Sequence, residues 1–64
     1  MKSIYSMSIN DLEAFLLEHN EKKYRAGQII DWLYIKRVHN FGEMSNLSKS
    51  LIDLLNQSFY FDEL

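Results

Sequence analysis

The side chains able to bind an anionic ligand are concentrated in one stretch of the chain, residues 22–37. Five of the seven Lys and Arg residues lie there with one acid, Asp31, so this stretch carries about +4 and the remainder about −6. The five are Lys22, Lys23, Arg25, Lys36 and Arg37. At a helix start, such charges add to unpaired backbone N–H groups and to the helix dipole. Residues 22–25 are therefore a candidate phosphate-binding site.

Two tyrosines, Tyr24 and Tyr34, lie within the same stretch. Aromatic rings that face outward stack on unpaired bases, which is a common way for proteins to bind single-stranded RNA. The spacing is equally compatible with tyrosines at the edge of a core and lysines in a solvated loop. The residues by themselves leave both interpretations open.

The sequence offers no arrangement of residues suited to catalysis or metal binding. His19 and His39 have no carboxylate or thiol at the spacing of metal ligands, and the chain contains no Cys. No Ser has the surroundings of a catalytic nucleophile, and no glycine-rich phosphate loop is present. The pattern argues against a metal site and against an independent small enzyme.

Hydrophobic periodicity predicts an all-α fold, a small bundle of three main helices with one short helical turn. The three helices are predicted over residues 9–19, 25–37 and 48–58, with the short turn over residues 41–44. Their apolar positions predict a core made of Leu12, Leu16, Ile29, Trp32, Leu33, Leu51 and Leu55. Trp32 is included because an indole in the middle of the central helix offers a large apolar area for burial.

Local signals support the predicted ends of the first and last helices. Ser8 and Asp11 form an approximate capping box before the first helix. That helix is expected to end near Asn20, a residue that tolerates the left-handed conformation. Ser45 or Ser48 is expected to cap the last helix.

Two features of the second helix have an explanation that needs no ligand. Lys36 and Arg37, in its predicted last turn, complement the helix dipole. Gly27, in its first turn, costs about 1 kcal/mol relative to Ala and marks either a neutral surface position or the close approach of a backbone or phosphate. The neutral position is the favoured interpretation.

Length and composition predict one small domain, residues 1–64, in the cytoplasm. No apolar run is long enough to cross a bilayer, and no signal peptide is recognisable. The net charge of −2 argues mildly against a free-standing nucleic-acid binder, although it allows a local basic face. The abrupt end on aromatic residues predicts that the chain is part of a longer protein.

Two stretches of the chain resemble a known family. They are Glu21-Lys22-Lys23-Tyr24-Arg25-Ala26-x-Gln28-Ile29-x-x-Trp32-Leu33-Tyr34 and Phe41-x-Glu43-Met44-Ser45-Asn46-Leu47-Ser48-Lys49-x-Leu51. Together they are similar to the N-terminal accessory domain of the radical SAM ribosomal RNA adenine-C2 methyltransferases (the RlmN/Cfr family). The similarity covers residues 7–59, and Gly27 is a local departure from the family pattern.

The resemblance implies a helical domain similar to helix-hairpin-helix nucleic-acid modules, placed ahead of a catalytic barrel. Enzymes of this family methylate C2 of adenosine in large-subunit rRNA and often in tRNA, using a 4Fe–4S cluster and S-adenosylmethionine. Without Cys, this chain has no thiolates to hold the cluster, so the catalytic barrel would have to supply it. The structured rRNA or tRNA and that barrel are the implied partners, with no membrane and no metal.

The resemblance also implies roles for particular residues. Arg25, Gln28, Trp32 and Tyr34 match the family motif, and the candidate RNA-binding set becomes Lys22, Lys23, Tyr24, Arg25, Gln28, Lys36 and Arg37. Arg25 and Gln28 are expected either to contact RNA or to orient the domain against the barrel. The alternative function is a protein-interaction module that docks on another domain or chain without RNA contact, suggested by the terminal aromatic residues Phe59, Tyr60 and Phe61.

Overall fold

The computed structural model describes residues 1–62, which are mainly helical. In chain order the elements are β1 (Lys2–Ser3), a first 3-10 turn (Ile4–Ser6), α1 (Ile9–Glu18), α2 (Arg25–Tyr34), a second 3-10 turn (Phe41–Glu43), α3 (Lys49–Ser58) and β2 (Phe59–Tyr60). The helices follow the predicted order and lie close to the predicted ranges. No helix among the described residues is long and apolar enough to cross a membrane.

The prediction of a strictly all-α fold is wrong, because two short strands pair at the chain ends. β1 and β2 are parallel, with Lys2 opposite Phe59 and Ser3 opposite Tyr60. Phe59 ends α3 in an extended conformation, which buries its ring, whereas Tyr60 faces outward. Each strand has only two residues, too few for their alternating pattern to be recognised in the sequence.

α1 has the predicted cap at each end. The Ser8 hydroxyl accepts a hydrogen bond of 3.1 Å from the Asp11 backbone N–H, and Asp11 Oδ2 accepts one of 3.1 Å from the Ser8 N–H. At the other end Asn20 is left-handed, with φ of 61°, and the Glu21 N–H reaches back 2.8 Å to the Leu16 carbonyl. This closure satisfies carbonyls that the helix leaves unpaired.

α2 ends at Tyr34, three residues before the predicted end at residue 37. The N–H groups of Ile35 and Lys36 both donate to the Asp31 carbonyl at 3.0 Å. Arg37 then takes a left-handed conformation, with φ of 54°, and turns the chain back. The reversal buries Val38, whose contribution to the core the helical periodicity did not reveal.

α3 begins at Lys49, one residue after the predicted start. Ser48 is its cap, because the Ser48 hydroxyl accepts a hydrogen bond of 3.2 Å from the Leu51 N–H. In the second 3-10 turn, the Glu43 carboxylate accepts a hydrogen bond of 2.9 Å from the His39 N–H.

The core lies between the three helices and the two 3-10 turns. The predicted core residues Leu12, Leu16, Ile29, Leu33, Leu51 and Leu55 are buried, and Ile4, Ala26, Val38, Phe41, Met44, Leu47 and Phe59 join them. Trp32 departs from the prediction, because it is only partly buried and packs against the core from its edge. Its indole N–H needs a hydrogen-bond partner, which the edge of the core provides.

Candidate nucleic-acid interface

The basic turn, residues 22–25, connects α1 to α2. Lys22, Lys23 and Tyr24 are exposed, whereas Arg25 is half-buried. Asn20 sets the direction of this connection, since its left-handed backbone redirects the chain as α1 ends. The turn therefore presents two ammonium groups and one aromatic ring to solvent.

Part of the backbone contribution predicted for this turn is already used within the chain. The Arg25 N–H donates to the Lys22 carbonyl and the Ala26 N–H to the Lys23 carbonyl, both at 3.1 Å. The expectation of unpaired N–H groups at the helix start is therefore wrong for these two residues. These two N–H groups are therefore not available to a phosphate at the turn.

Arg25 is held by neighbours on both sides. Its Nη1 donates hydrogen bonds to Gln28 Oε1 at 2.7 Å and to the Asn46 carbonyl at 3.3 Å. Its guanidinium also lies 4.9 Å from the centroid of the Tyr24 ring, within range of a cation–π interaction. Arg25 and Gln28 therefore act as a pair that ties the basic turn to the loop before α3.

Trp32 reaches the same loop from further along α2. Its Nε1 donates a hydrogen bond of 2.7 Å to the side-chain oxygen of Asn46. Lys36 covers the indole from outside, with Nζ 4.4 Å from the ring centroid. The Lys36 ammonium is thus placed over an aromatic face, so part of its position is set by Trp32.

Asn46 is the residue that sequence reasoning missed at this site. It contacts Arg25 through its backbone and Trp32 through its side chain. The only signal in the sequence was its place in the second of the two stretches that carry the family resemblance. Nothing in its spacing from α2 indicated the contacts, because they depend on how α2 and the loop pack.

The structure divides the candidate RNA-binding residues into two groups. Lys22, Lys23, Tyr24, Arg25 and Gln28 lie at the start of α2, whereas Lys36 and Arg37 follow its end. α2 itself has ten residues, which corresponds to a length of roughly 15 Å. The basic side chains therefore form two clusters at opposite ends of α2.

The aromatic residues that suggested protein docking are less exposed than the sequence implied. Phe59 is 5% exposed and belongs to the core, and Phe61 is partly buried against Phe41, with ring centroids 4.7 Å apart. Tyr60 is 46% exposed. The exposed apolar surface instead includes Ile35, which is 72% exposed just beyond α2.

The described part of the chain has no cluster of three or more His, Cys, Asp or Glu side chains able to hold a metal ion. Residues 1–62 also leave no buried side-chain nitrogen or oxygen without a hydrogen-bond partner. What the described residues place at the two ends of α2 is positive charge beside aromatic rings.

The chain is similar to known proteins over nearly its whole length. Residues 2–61 match the family of ribosomal RNA large subunit methyltransferase N-terminal domains. A probable dual-specificity RNA methyltransferase RlmN from Streptococcus mutans is 60% identical over 62 residues, which are 97% of this chain and 17% of that protein. One from Bacillus cereus is 58% identical over 57 residues, 89% of this chain and 16% of that protein. The chain thus spans about a sixth of the length of these relatives.

A solved structure has the same fold. It is the crystal structure of a radical SAM methyltransferase from Sphaerobacter thermophilus, which superposes with a TM-score of 0.90 at 26% sequence identity. The match covers 95% of this chain and 18% of that protein. The similarity therefore concerns one domain of a much longer enzyme.

Proposed function

This chain belongs to the family of ribosomal RNA large subunit methyltransferase N-terminal domains, and from that premise we propose that it binds and positions RNA for a catalytic domain. The parent protein is a radical SAM methyltransferase that methylates C2 of adenosine in large-subunit rRNA and in tRNA, in the cytoplasm. Its catalytic domain holds the 4Fe–4S cluster and S-adenosylmethionine. The present residues do not fit the cluster, because the sequence has no Cys.

The proposal rests on a difference in exposure and hydrogen bonding within the basic turn. Lys22 and Lys23 are exposed, whereas Arg25 is tied to Gln28 and Asn46. The turn is thereby anchored to two elements while its ammonium groups stay in solvent. Because the turn is already anchored, less conformational entropy is lost when a ligand orders it. Ammonium groups bind phosphates whatever the nucleotide sequence of the RNA. This suits a domain that positions an RNA whose sequence is recognised elsewhere.

The proposal is tested by adding an RNA stem-loop to the 15N-labelled chain at low salt and following the amide resonances. We expect shifts at residues 22–28. Contacts to about three phosphates should give a log-log slope of affinity against salt near −3. No shifts at low salt, or shifts confined to other surfaces, would show that this chain does not bind RNA through the basic turn.

A second function, docking on the catalytic domain without RNA contact, is supported by the exposed Ile35 beside Tyr34, which is 50% exposed. It is tested by mixing the labelled chain with a separately produced catalytic domain. Shifts around Ile35 together with unchanged RNA affinity after neutralisation of Lys22 and Lys23 would favour docking. Loss of RNA affinity in that variant would favour RNA binding.

A further inference from the structure

A groove of about 750 Å³ lies at the end of α2, away from the basic turn. The first 3-10 turn, the end of α2 and the residues after β2 form its walls, which include Tyr5, Tyr34, Arg37, His39 and Phe61. This volume is within the range of sites that bind small molecules. The groove is large enough for one nucleotide.

Three aromatic rings in the groove hold one another in place. Tyr5 contacts Tyr34 and Phe61 edge to face, with both pairs of ring centroids 5.9 Å apart. Phe61 in turn packs on the buried Phe41. Tyr5 and Tyr34 nevertheless remain 38% and 50% exposed. Rings that are fixed by neighbours and open to solvent can stack on a planar ligand at little entropic cost.

The charged groups of the groove suit a ligand with both an anionic and a hydrogen-bonding part. Arg37 lines the groove next to Tyr34, and its left-handed backbone turns the chain at this point. Its guanidinium provides a partner for a phosphate, and the exposed His39 provides ring nitrogens. Asp62, also in the wall, would accept hydrogen bonds from an amino group or a ribose hydroxyl and would repel a phosphate placed beside it.

We propose that this groove binds one unpaired nucleotide of an RNA, with its base stacked on Tyr34, the edge of the base beside Tyr5 and its phosphate beside Arg37. The ligand class rests on the proposed function, while the site is separate from the basic turn. The two sites lie at opposite ends of α2, roughly 15 Å apart. One RNA can therefore place a paired segment against Lys22 and Lys23 and an unpaired segment in the groove.

The test compares a single-stranded tetra-adenylate with an RNA duplex that has blunt ends, each added to the labelled 64-residue chain. We expect the single strand to shift the resonances of Tyr5, Tyr34 and Phe61 and to give NOEs between adenine and Tyr34 ring protons. Tyr34→Leu should weaken binding of the single strand at least fivefold, since stacking on one aromatic ring accounts for about that much or more. Tyr34→Phe, the matched control, keeps the ring and should bind within about twofold of the native chain.

A second variant keeps the test decisive if Tyr34→Leu fails to fold, which circular dichroism would show. Arg37→Gln removes the guanidinium charge and should weaken the single strand more than the duplex. Equal binding of the single strand by all three variants and the native chain would overturn the proposal, as would an absence of adenine NOEs to the groove. The proposal would also be overturned if the resonances of Tyr5, Tyr34 and Phe61 shifted on addition of the catalytic domain and not on addition of RNA.

Failure of this inference can be told apart from failure of the proposed function. If only the groove assignment is wrong, the stem-loop still shifts residues 22–28 while Tyr5 and Tyr34 stay unaffected. If the chain does not bind RNA, neither site responds to any of the three RNAs.

Discussion

Trp32 and Asn46 are joined by a hydrogen bond of 2.7 Å between the indole Nε1 and the Asn46 side-chain oxygen. Arg25 donates to the backbone carbonyl of the same Asn46. Two turns of α2 are thus attached to one residue of the loop that leads into α3. The attachment gives Arg25 and Trp32, two residues of the family motif, contacts within the domain itself.

The Trp32–Asn46 bond should be measurable as an energetic coupling. We expect Trp32→Phe and Asn46→Ala each to lower the free energy of unfolding by about 1 kcal/mol, the net value of one hydrogen bond. The double variant should lose less than the sum of the two, with a coupling of about 1 kcal/mol in urea denaturation.

Asn40→Ala is the matched control for this cycle, since the Asn40 side chain makes no capping hydrogen bond to the second 3-10 turn. It should change the free energy of unfolding by less than about 0.5 kcal/mol. Fully additive effects of Trp32→Phe and Asn46→Ala would show that the two side chains do not stabilise each other.

Gly27→Ala should stabilise the domain. A Cβ at position 27 would meet no atom within 4 Å, so the methyl group enters open space on α2. Replacing a helical Gly by Ala should raise the free energy of unfolding by about 1 kcal/mol in urea denaturation.

Gly42→Ala is the contrasting variant, because a Cβ there would lie 3.1 Å from Asn40 Oδ1. This variant should therefore raise the free energy of unfolding by less than Gly27→Ala does.

RNA affinity decides between the two interpretations of Gly27. We expect it to be unchanged in Gly27→Ala, as for a neutral surface position. A clear loss of affinity in the stabilised variant would mean that a phosphate approaches the backbone at residue 27.

The capping box of α1 should make stability depend on pH in the acidic range. The Ser8 backbone N–H, and after it the Ser8 hydroxyl, lower the pKa of the Asp11 carboxyl from its usual value of 3.8. Because the folded pKa is the lower one, the ionised carboxylate stabilises the fold above pH 3.8, and this contribution is lost as the pH falls through the folded value.

Urea denaturation at a series of pH values checks this dependence. Asp11→Asn should remove the part of the pH dependence of stability that comes from this carboxylate. Ser8→Ala should lower the free energy of unfolding by about 1 kcal/mol at neutral pH, because the helix loses its cap. Matching pH profiles for the native chain and Asp11→Asn would contradict the assignment.

Local features of the fold could be predicted from the sequence, and long-range ones could not. The Ser8–Asp11 box and the left-handed Asn20 each depend on residues within one turn, so their spacing identifies them, and it reduces the cap of α3 to two candidates, of which Ser48 is the cap. The pairing of Lys2 with Phe59 joins opposite ends of the chain, and no local pattern encodes it. The burial of Val38 likewise depends on a chain reversal at residue 37.

The candidate site shows the same limit. The basic turn, residues 22–25, could be predicted because charge is readable directly from residue types, and the exposure of Lys22 and Lys23 fits both a binding site and a solvated loop. Asn46 was missed because its contacts to Arg25 and Trp32 arise only when α2 packs beside the loop. The end of α2 was placed too late, which put Lys36 and Arg37 in a helical turn that they do not occupy.

The most direct test of RNA binding by the basic turn is the salt dependence of affinity for an RNA stem-loop, compared between two variants of equal net charge. Lys22→Gln with Lys23→Gln neutralises the turn, and Asn10→Asp with Gln57→Glu makes the same change in charge on exposed residues of α1 and α3. Asn10 lies at the start of α1, about 15 Å along the helix from the turn.

We expect the lysine variant to weaken binding at least tenfold at low salt and to reduce the log-log slope from about −3 to about −1, as two phosphate contacts are lost. The control variant should keep the native slope and bind within about twofold of the native chain. Equal losses of affinity and slope in both variants would mean that overall charge, and not the basic turn, attracts the RNA, and would contradict the proposed function.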